Sequence, residues 1–447
     1  MQTRLLPARG SSIHTTTMNE QKQAQIHETL PQDPCPALCL VGMDLHSEKV
    51  QLCLTFWRHG SDPVRQRDIS TALASLETTY RRQIPAGALT VMEASGNAFA
   101  TVRRLEAIGH EAKVLPSDIA TGMAPSDRVN DAIDAYHIAV AYARRGTRRE
   151  VWVPSPAYQD HRALWHAYGN AVKDAACQRN RIWGLFNGHG IALRRVAGPK
   201  TLRHQLEEPA GLGAEARLLA ALAIDELEHD LETKAAIRKQ IGQIVALTPA
   251  MRTAMSVMGI GRIAAFALVA YIEDVTRFPT AKHLCSYFGF KPILSESGKD
   301  TGSKHLSKRG NGALKALMIE AAQSAMRYGC QPMHKWARRL SARGKGYNLA
   351  VAALARKMLT ALWHALMGHP VPNCEAEMVH VRKVALAARC LEKEHLARLG
   401  YANATAFALA VTRNLYAHLQ TMDSKGIQSD NESQNTQSQE EIIQIEA

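Results

Sequence analysis

The sequence predicts an α/β domain at its N-terminal end, followed by a mostly helical remainder. Short apolar runs typical of strands alternate with helical patterns up to about residue 145. Two long amphipathic segments follow, over 158–193 and 214–247, and the chain beyond 250 keeps a helical spacing of apolar residues. At 447 residues the chain is long enough for two or three domains.

The α/β region begins with residues 37–57, which predict two strands joined by a tight polar turn at His46, Ser47 and Glu48. The later elements expected here are a helix from Thr71 to Arg82, a buried strand over 88–93, a helix from Ala98 to Ile108, a strand from Glu111 to Leu115 and a helix from Asn130 to Arg144. Strands alternating with helices in this way indicate a mixed sheet with helices packed on it.

The two long helical segments are separated by a break that contains Gly198, Pro199, Pro209 and Gly211. Such a pattern is typical of an antiparallel helical hairpin or a coiled coil. A plain helical subdomain explains it equally well. The predicted organisation is therefore a disordered extension (1–36), an α/β domain (37–150), a helical coiled-coil region (151–248), a C-terminal domain (249–370), a helical extension (371–420) and a disordered acidic tail (421–447).

The charge of the chain favours a polyanionic partner. The formal net charge is +13 and the pI about 9.4. The tail from Thr421 holds six acids against one lysine, so the rest of the chain is more basic still. Such an excess favours nucleic acid through counterion release, although a merely soluble basic protein is equally consistent with it.

Cysteine usage and hydropathy exclude several classes of protein. The eight cysteines form no CxxC pair, so neither a zinc site nor a disulfide framework is expected. No run of about eighteen apolar residues is present, so we expect no membrane-spanning helix. These features favour a protein of a reducing cytoplasm.

Four carboxylates are candidates for a metal site: Asp44, Glu93, Asp131 and Asp134. Asp44 and Glu93 end predicted strands, while Asp131 and Asp134 are three residues apart on a predicted helix and share a face. Acids gathered at one point repel each other unless a hard cation such as Mg²⁺ holds them. One or two such ions can promote displacement at a phosphodiester. Taken singly, each acid is also consistent with turn chemistry, a helix start or a solvated helix face.

A Gly- and Ser-rich loop over 289–302 is the second candidate site. Ser297, followed by Gly298, could attack a phosphodiester while neighbouring cations stabilise the developing charge. The cations expected to contact DNA are Lys299, Lys304, Lys308 and Arg309. An ordinary surface loop explains the same residues on physical grounds alone, and Ser295 is an alternative nucleophile.

Gly259, Gly261 and Arg262 stand at the start of a predicted helix that continues with Ile263. Glycines at this place let backbone N–H groups approach phosphates, as in a DNA-binding helix-hairpin-helix. A plain turn at a helix entry is equally consistent with so short a motif.

Taken together, these motifs resemble a known family. The N-terminal motifs are 42–46 (GMDLH), 92–96 (MEASG) and 130–135 (NDAIDA), and the C-terminal ones are 258–261 (MGIG), 277–278 (RF), 287–290 (YFGF), Pro292, 297–298 (SG) and 307–311 (SKRGN). In order and spacing they resemble the DEDD-type insertion-sequence transposases, also called bridge-RNA-guided serine recombinases. The resemblance covers roughly residues 38–365.

The resemblance implies a RuvC-like (RNase H-like) N-terminal domain, a coiled-coil linker and a C-terminal transposase domain with a helix-hairpin-helix-like element. It implies that Asp44, Glu93, Asp131 and Asp134 bind Mg²⁺ and that Ser297 is the nucleophile of a 5′-phosphoserine intermediate, the two halves meeting in a homo-oligomer on DNA. It further implies a structured guide RNA from the flank of the element and a bacterial, nucleoid-associated, cytoplasmic protein. Asp118 and Asp127 lie close enough in the sequence to replace one carboxylate.

Two other functions remain open at this point. A metal-dependent RuvC-like nuclease or junction resolvase would use the four carboxylates alone. A non-catalytic nucleic-acid-binding protein would use only the hairpin and the basic loop.

Overall fold

A computed structural model describes residues 38–117, 131–145, 150–193, 198–207, 211–293, 305–307, 310–329, 332–369, 371 and 375–426. The chain divides into two compact units, Met1–Val153 and Pro154–Ala447. Each is described here by itself.

The first unit is built on a five-stranded mixed sheet with the order β3-β2-β1-β4-β5. Its strands are β1 (Leu38–Leu45), β2 (Lys49–Trp57), β3 (Val64–Ala72), β4 (Leu89–Glu93) and β5 (Glu111–Leu115). The first three strands run antiparallel, whereas β4 and β5 run parallel to β1. The predicted turn joins β1 to β2, where the His46 N–H donates to the Lys49 carbonyl at 3.0 Å. The mixed α/β layer predicted from the sequence is confirmed.

Helices cover both faces of this sheet. On one face, α1 (Leu76–Gln83) and α2 (Ala98–Glu106) share a core with Val41 and Met43. On the other face, α3 (Asp131–Arg145) packs Ile138 and Tyr142 against Leu40 and Val91. Because strand side chains alternate between faces, odd and even positions of β1 belong to different cores. This alternation decides which side of the sheet each carboxylate faces.

Strand β3 is an element that the sequence reading did not predict. The expected helix from Thr71 actually begins at Leu76, after a 3₁₀ turn over Leu73–Ser75, and residues 71–72 belong to the strand. Within β3 only Ile69 is buried, because the strand lies at the edge of the sheet with charged side chains in solvent. An apolar run, the usual sign of a strand, is therefore absent.

The second unit begins with two long helices, α4 (Pro156–Gly188) and α6 (Ala214–Leu247). They run antiparallel: Trp165, early in α4, shares a core with residues late in α6, such as Val245, and Phe186 at the far end packs with Ile224. The predicted hairpin is confirmed. The break between them holds a further short helix, α5 (Pro199–Glu207), which begins at a proline suited to a first helical turn and buries Leu202.

Among its described residues, the rest of the second unit is helical apart from one pair of short antiparallel strands. Its elements are α7 (Pro249–Met255), α8 (Arg262–Ile272), α9 (Ala281–Tyr287), β6 (Pro292–Ile293), β7 (His305–Leu306), α10 (Gly312–Tyr328), α11 (Pro332–Ala342), α12 (Tyr347–Leu366), α13 (Glu377–Ala388), α14 (Lys393–Arg398) and α15 (Ala404–Gly426).

One large apolar core joins most of these helices. It extends from Trp165 of α4 through Phe266 of α8 and Leu354 of α12 to Val384 of α13 and Phe407 of α15. The predicted helical extension therefore packs into the same core as the segment before it. Helix α15 also continues to Gly426, six residues into the segment expected to be disordered. The predicted extension 1–36 lies outside the described residues.

Helix α12 is long and apolar enough to span a membrane when judged by length and composition alone. Its residues Leu354, Met358 and Leu362 are fully buried within the second unit. This burial accounts for the apolar composition of the helix, as in the core helix of a water-soluble domain.

Candidate functional site

The carboxylate Asp44 faces helix α3. Gly42, two residues earlier in β1, lies so close to α3 that an added Cβ would meet the Ala135 carbonyl oxygen at 1.8 Å. Side chains two residues apart in a strand share a face, so Asp44 points to the same side as Gly42. Asp44 is also the second-last residue of β1 and stands at the edge where the strand meets the turn.

Glu93 lies beside Asp44 on the neighbouring strand. Met43 and Met92 are partners in the parallel register of β1 and β4, and Asp44 and Glu93 each come next in their strands. Val91, two residues before Glu93, belongs to the α3-facing core. Adjacent strands are about 4.8 Å apart, so the sheet places both carboxyl groups at one edge and on one face.

Helix α3 supplies the other two carboxylates from its first turn. Asp131 is its first residue and Asp134 follows three residues later. Asp131 is one turn before Ala135, the residue packed on Gly42, so the contact between helix and strand carries Asp131 towards the end of β1.

His46 links Asp44 to Asp131. Its Nε2 atom lies 3.1 Å from Asp44 Oδ2 and 4.0 Å from Asp131 Oδ1. One ligand atom from each of the three side chains falls within 4.8 Å of the others, which is close enough to hold one metal ion. On the outer side, Lys49 Nζ lies 3.4 Å from Asp131 Oδ2. The structure thus brings Asp44 and Asp131 together as the sequence predicts.

Burial raises the pKa of the Asp44 carboxyl above its ordinary value, and the charges of Asp131 and Asp134 raise it further, against the opposing effect of His46. Asp134 is therefore near enough to repel Asp44. Glu93 is placed beside Asp44 by strand register and face alone; among the described residues, the side chains close enough to share one metal ion are Asp44, His46 and Asp131. The acids around Asp44 are the type of oxygen donors that Mg²⁺ prefers, so the residues fit that ion.

Sequence reasoning missed two basic residues at this site, His46 and Lys49. It treated the residues after Asp44 as turn chemistry only. The alternation of positions 42, 44 and 46 along one face contained a signal for His46, because it places an imidazole, a common metal ligand, beside Asp44. Lys49 had no such signal, since its approach to Asp131 depends on the packing of α3.

In the second unit, residues 256–261 connect α7 to α8, at the place where the sequence predicts a helix-hairpin-helix-like element. Gly259 has a φ of +80°, and an added Cβ would meet Met358 at 2.8 Å, so packing alone explains this glycine. Gly261 precedes the first residue of α8 and is exposed, with open space around its Cα. Gly261 is therefore the glycine whose backbone is accessible to a phosphate.

Helix α13 holds this turn in place. The Arg262 guanidinium donates to the Leu386 carbonyl at 3.1 Å. The Lys383 ammonium donates to the carbonyls of Met255 and Ile260 and forms an ion pair with Glu375 at 3.1 Å. Burial lowers the pKa of Lys383, although Glu375 opposes that effect. Arg262, predicted to contact DNA, is thus engaged with α13 in this structure.

The serine loop is described only at its base. Ser297, its alternative Ser295 and the predicted DNA-contacting residues Lys299, Lys304, Lys308 and Arg309 lie outside the described residues, as do Asp118 and Asp127. The strands β6 and β7 pair antiparallel, with Ile293 opposite His305, so both ends of the segment that contains Ser297 meet at one place. The Ser307 N–H also donates to the Lys291 carbonyl at 3.0 Å.

Arg277 packs among aromatic residues that precede β6 in the sequence. The Arg277 guanidinium lies 4.5 Å from the centre of the Phe278 ring and 4.9 Å from that of Tyr287, and it donates to the Tyr271 carbonyl at 2.7 Å. Gly310, with a φ of +94°, leaves no room for a Cβ beside the Tyr287 carbonyl, 3.0 Å away. These contacts explain the 277–278 and 287–290 motifs structurally.

Comparison with known proteins gives a consistent set of relatives. Residues 251–338 match the family model described as Transposase IS116/IS110/IS902 family. The chain is 26% identical over 351 residues to the transposase for insertion sequence element IS1111A of Coxiella burnetii, covering 75% of this chain and 92% of that relative. It is 28% identical to a probable family 20 transposase of Pseudomonas aeruginosa, covering 74% and 97%. A shorter match, 28% over 142 residues, is to a pilin gene-inverting protein of Moraxella lacunata, covering 30% and 44%.

Proposed function

We propose that the chain is an insertion-sequence transposase that cuts and rejoins DNA, because residues 251–338 match the IS116/IS110/IS902 family model and its relatives over about three quarters of its length are transposases. In this proposal the carboxylates bind the metal ion and Ser297 is the nucleophile. One observation supports the metal site above all. Asp44 and Asp131, distant in sequence, lie on either side of the His46 imidazole at the end of β1. Carboxylates that converge in this way from a strand and a helix supply the oxygen ligands that Mg²⁺ prefers.

The proposed role of Asp44, Glu93, Asp131 and Asp134 is to bind Mg²⁺ and to orient the scissile phosphate. The ion would neutralise phosphate charge and stabilise the oxygens of the displacement. The chain's own residues supply the cradle: β1 and β4 hold Asp44 and Glu93 side by side, and the contact of Gly42 with Ala135 fixes the helix that carries the other two acids. The Lys49 ammonium neutralises part of the same acidic charge, and the His46 imidazole lies beside Asp44.

The proposed role of Ser297 is nucleophilic. Its Oγ attacks the phosphorus, the bond to the O3′ of the preceding nucleotide breaks, and the serine proton leaves as that O3′ gains one. The products are a 5′-phosphoserine and a free 3′-hydroxyl. Attack by a 3′-hydroxyl on the phosphoserine restores the serine and rejoins the strand. The pairing of β6 with β7 supports this role, because it brings together the two ends of the segment that contains Ser297.

Five further features are part of the proposal. The order β3-β2-β1-β4-β5, with helices on both faces, supports an RNase H-like (RuvC-like) fold. A structured guide RNA and a homo-oligomer are proposed from the motif resemblance. We assign the paired helices α4 and α6 to the coiled-coil region. We place the protein in the bacterial cytoplasm, at the nucleoid.

A RuvC-like nuclease that uses the carboxylates alone is the second candidate function. The convergence around Asp44 is consistent with it, since that geometry does not involve Ser297. The match to a pilin gene-inverting protein favours recombination instead, because its name describes inversion of a DNA segment, which needs rejoining as well as cutting.

The two functions are separated by trapping the intermediate. Purified protein would be incubated with Mg²⁺, the element's own junction DNA and RNA transcribed from its flank, then denatured and examined for protein bound covalently to a 5′ end. Wild type and Ser295→Ala are expected to form the adduct, whereas Ser297→Ala and Asp44→Asn are not. Cleavage by Ser297→Ala at the wild-type rate would overturn the nucleophile and favour the nuclease. Full activity of Asp44→Asn would overturn the metal site.

A further inference from the structure

The segment between Glu320 and Glu375 has an unusual charge. Residues 321–374 contain eight Lys and Arg residues and no Asp or Glu. The whole chain, by contrast, has 54 Lys and Arg against 41 Asp and Glu. This acid-free segment includes helix α11 and the turn that leads into α12, and its charge is not explained by the carboxylate site.

Two of the eight cations connect neighbouring helices. The Arg338 guanidinium donates to the carbonyls of Met326 at 2.9 Å and Gly329 at 2.7 Å, and so caps the C-terminal end of α10. The Lys357 ammonium lies 4.6 Å from the centre of the Trp336 ring, which sits in α11. These two residues hold α10, α11 and α12 together.

Three other cations form a row on the outside of α11. Lys335, Arg339 and Arg343 follow one another at intervals of four residues and are all exposed. The Arg343 N–H still donates to the Arg339 carbonyl at 3.1 Å, so Arg343 continues the helical path one residue beyond the last residue of α11. The row therefore lies along one face and spans about 12 Å.

The turn beyond the row extends the same charged surface. Residues 342–349 are exposed without interruption, and they include Lys345 between two glycines and the half-exposed ring of Tyr347. No carboxylate of the described part of the chain pairs with Lys335, Arg339, Arg343 or Lys345. Like charges one helical turn apart repel each other, so this row costs stability in the free protein. An anionic partner would remove that cost.

We propose that this basic row, defined as Lys335, Arg339 and Arg343 with Lys345 beyond it, binds the phosphate backbone of duplex DNA. The inference rests on the proposed function, since DNA is the substrate there. Duplex DNA carries closely spaced charges along its strands, and cations on an exposed helix face contact them without reading the bases. The row thus fixes the position of the DNA and leaves sequence recognition to other parts of the assembly.

Salt-dependent DNA binding tests this assignment. Full-length wild type and the variant Lys335→Gln/Arg339→Gln/Arg343→Gln would be titrated against a fluorescent DNA duplex over a series of salt concentrations. The slope of log K against log salt is negative, and each lost phosphate contact reduces its magnitude by about 0.9. The magnitude is therefore expected to be smaller by about 2 to 3 in the variant. The single variant Arg343→Gln, beyond the end of the helix, is expected to lower it by about 1.

A matched control is available in α14 and just before it. Lys393, Arg398 and Arg389 are also exposed, but Glu392 and Glu394 lie among them. Arg398 even repeats the local bond of Arg339, since each Nε donates to a backbone carbonyl four residues earlier at 3.4 Å. Replacing these three residues by Gln removes the same net charge, and the salt slope is expected to stay within about 0.5 of wild type.

The outcomes separate this surface from the rest of the mechanism. An unchanged slope in the α11 variant, or an equal fall in the control, overturns the DNA-binding row alone. Retained DNA binding with loss of binding to the flank-encoded RNA also overturns it, because the row would then bind RNA. Wild type that binds no duplex at all would overturn the proposed function as well.

Discussion

Gly42 lies directly beneath Ala135, where an added Cβ would stand 1.8 Å from the carbonyl oxygen of that residue and 3.1 Å from the amide nitrogen of Ala139. Both neighbours are backbone atoms of α3, so they cannot rotate away. Strand β1 and helix α3 therefore approach each other closely only because position 42 has no side chain. The two carboxylate pairs of the candidate site depend on that approach.

We expect Gly42→Ala to push α3 off the sheet and to separate Asp131 from Asp44. The free energy of unfolding should fall by about 1–3 kcal/mol, the usual cost of overpacking, and Mg²⁺-dependent DNA cleavage should be lost. Urea denaturation and a cleavage assay measure the two effects. Gly96→Ala is the control, because nothing lies within 4 Å of a Cβ at that position. Normal activity of Gly42→Ala would contradict the dependence of the site on this contact.

Asp44→Asn should stabilise the metal-free protein while abolishing cleavage. Burial and the neighbouring acids raise the pKa of Asp44, so its ionised form costs stability near neutral pH. That cost is absent below the unfolded-state pKa and grows as pH rises through the raised folded pKa. Differential scanning fluorimetry at pH 7.5 in EDTA should show a higher Tm for the variant, with a smaller difference at acidic pH.

Mg²⁺ should reverse the order of the two Tm values, so that wild type becomes the more stable protein. The ion is expected to raise the Tm of wild type by binding the folded state, and to leave Asp44→Asn unaffected. Asp62→Asn serves as the control, since Asp62 is exposed and pairs with Arg144 away from the site. A Mg²⁺ response in Asp44→Asn as large as in wild type would exclude Asp44 as a ligand.

Arg277→Lys should weaken the contacts that Arg277 makes with Phe278, Tyr287 and Tyr271. The planar guanidinium stacks on Phe278 and Tyr287 and donates to the Tyr271 carbonyl at once, which an ammonium cannot reproduce. We expect a loss of about 1 kcal/mol in the stability of the folded protein, together with slower formation of the covalent adduct. Arg238→Lys, on the exposed side of α6, should change neither quantity. Equal behaviour of the two variants would rule out a role for the stacking.

His380 should make the second unit acid-sensitive. Burial lowers its pKa from 6.5 to about 4, and its Nε2 atom lies 2.9 Å from the Arg252 carbonyl, to which the neutral ring donates. Stability is therefore complete above pH 6.5 and is lost as pH falls from 6.5 towards 4, by on the order of 3 kcal/mol. Urea unfolding at pH 7.5, 5.5 and 4.5 measures this loss.

His380→Gln keeps a donor but cannot titrate in this range, so its stability should vary less with pH than that of wild type. His189→Gln, at an exposed position, should leave the wild-type pH dependence unchanged. Identical pH profiles for wild type and His380→Gln would assign the acid sensitivity to another group.

Much of the secondary structure could be predicted because its signals are local. Strand β5 and the long helix α6 have the predicted bounds, and β4 begins within one residue of its predicted start, since each is a strongly patterned run of apolar residues. The convergence of Asp44 with Asp131 also follows from strand and helix ends. Strand β3 could not be found in this way, because pairing with β2 rather than its own composition makes it a strand.

Contacts between distant segments were beyond sequence reasoning. Lys49 reaches Asp131 only once α3 is packed on the sheet, and Lys383 reaches Ile260 only once α13 is packed on the turn. The acid-free stretch of 321–374 is visible in the sequence, yet its division into capping and exposed cations requires the structure. The roles of Ser297 and its basic neighbours stay predictions.

The attachment of α13 to the 256–261 turn bears on how copies of such an element decay in a genome. A stop codon shortly after position 370 would leave every recognisable motif in the reading frame, from Asp44 to Asn311. The encoded protein would nevertheless lack Lys383, Leu386 and the apolar residues of α13 and α15 that complete the large core of the second unit. A survey that counts intact copies by their motifs would score such an allele as functional, although its product would lack part of the core that supports those motifs.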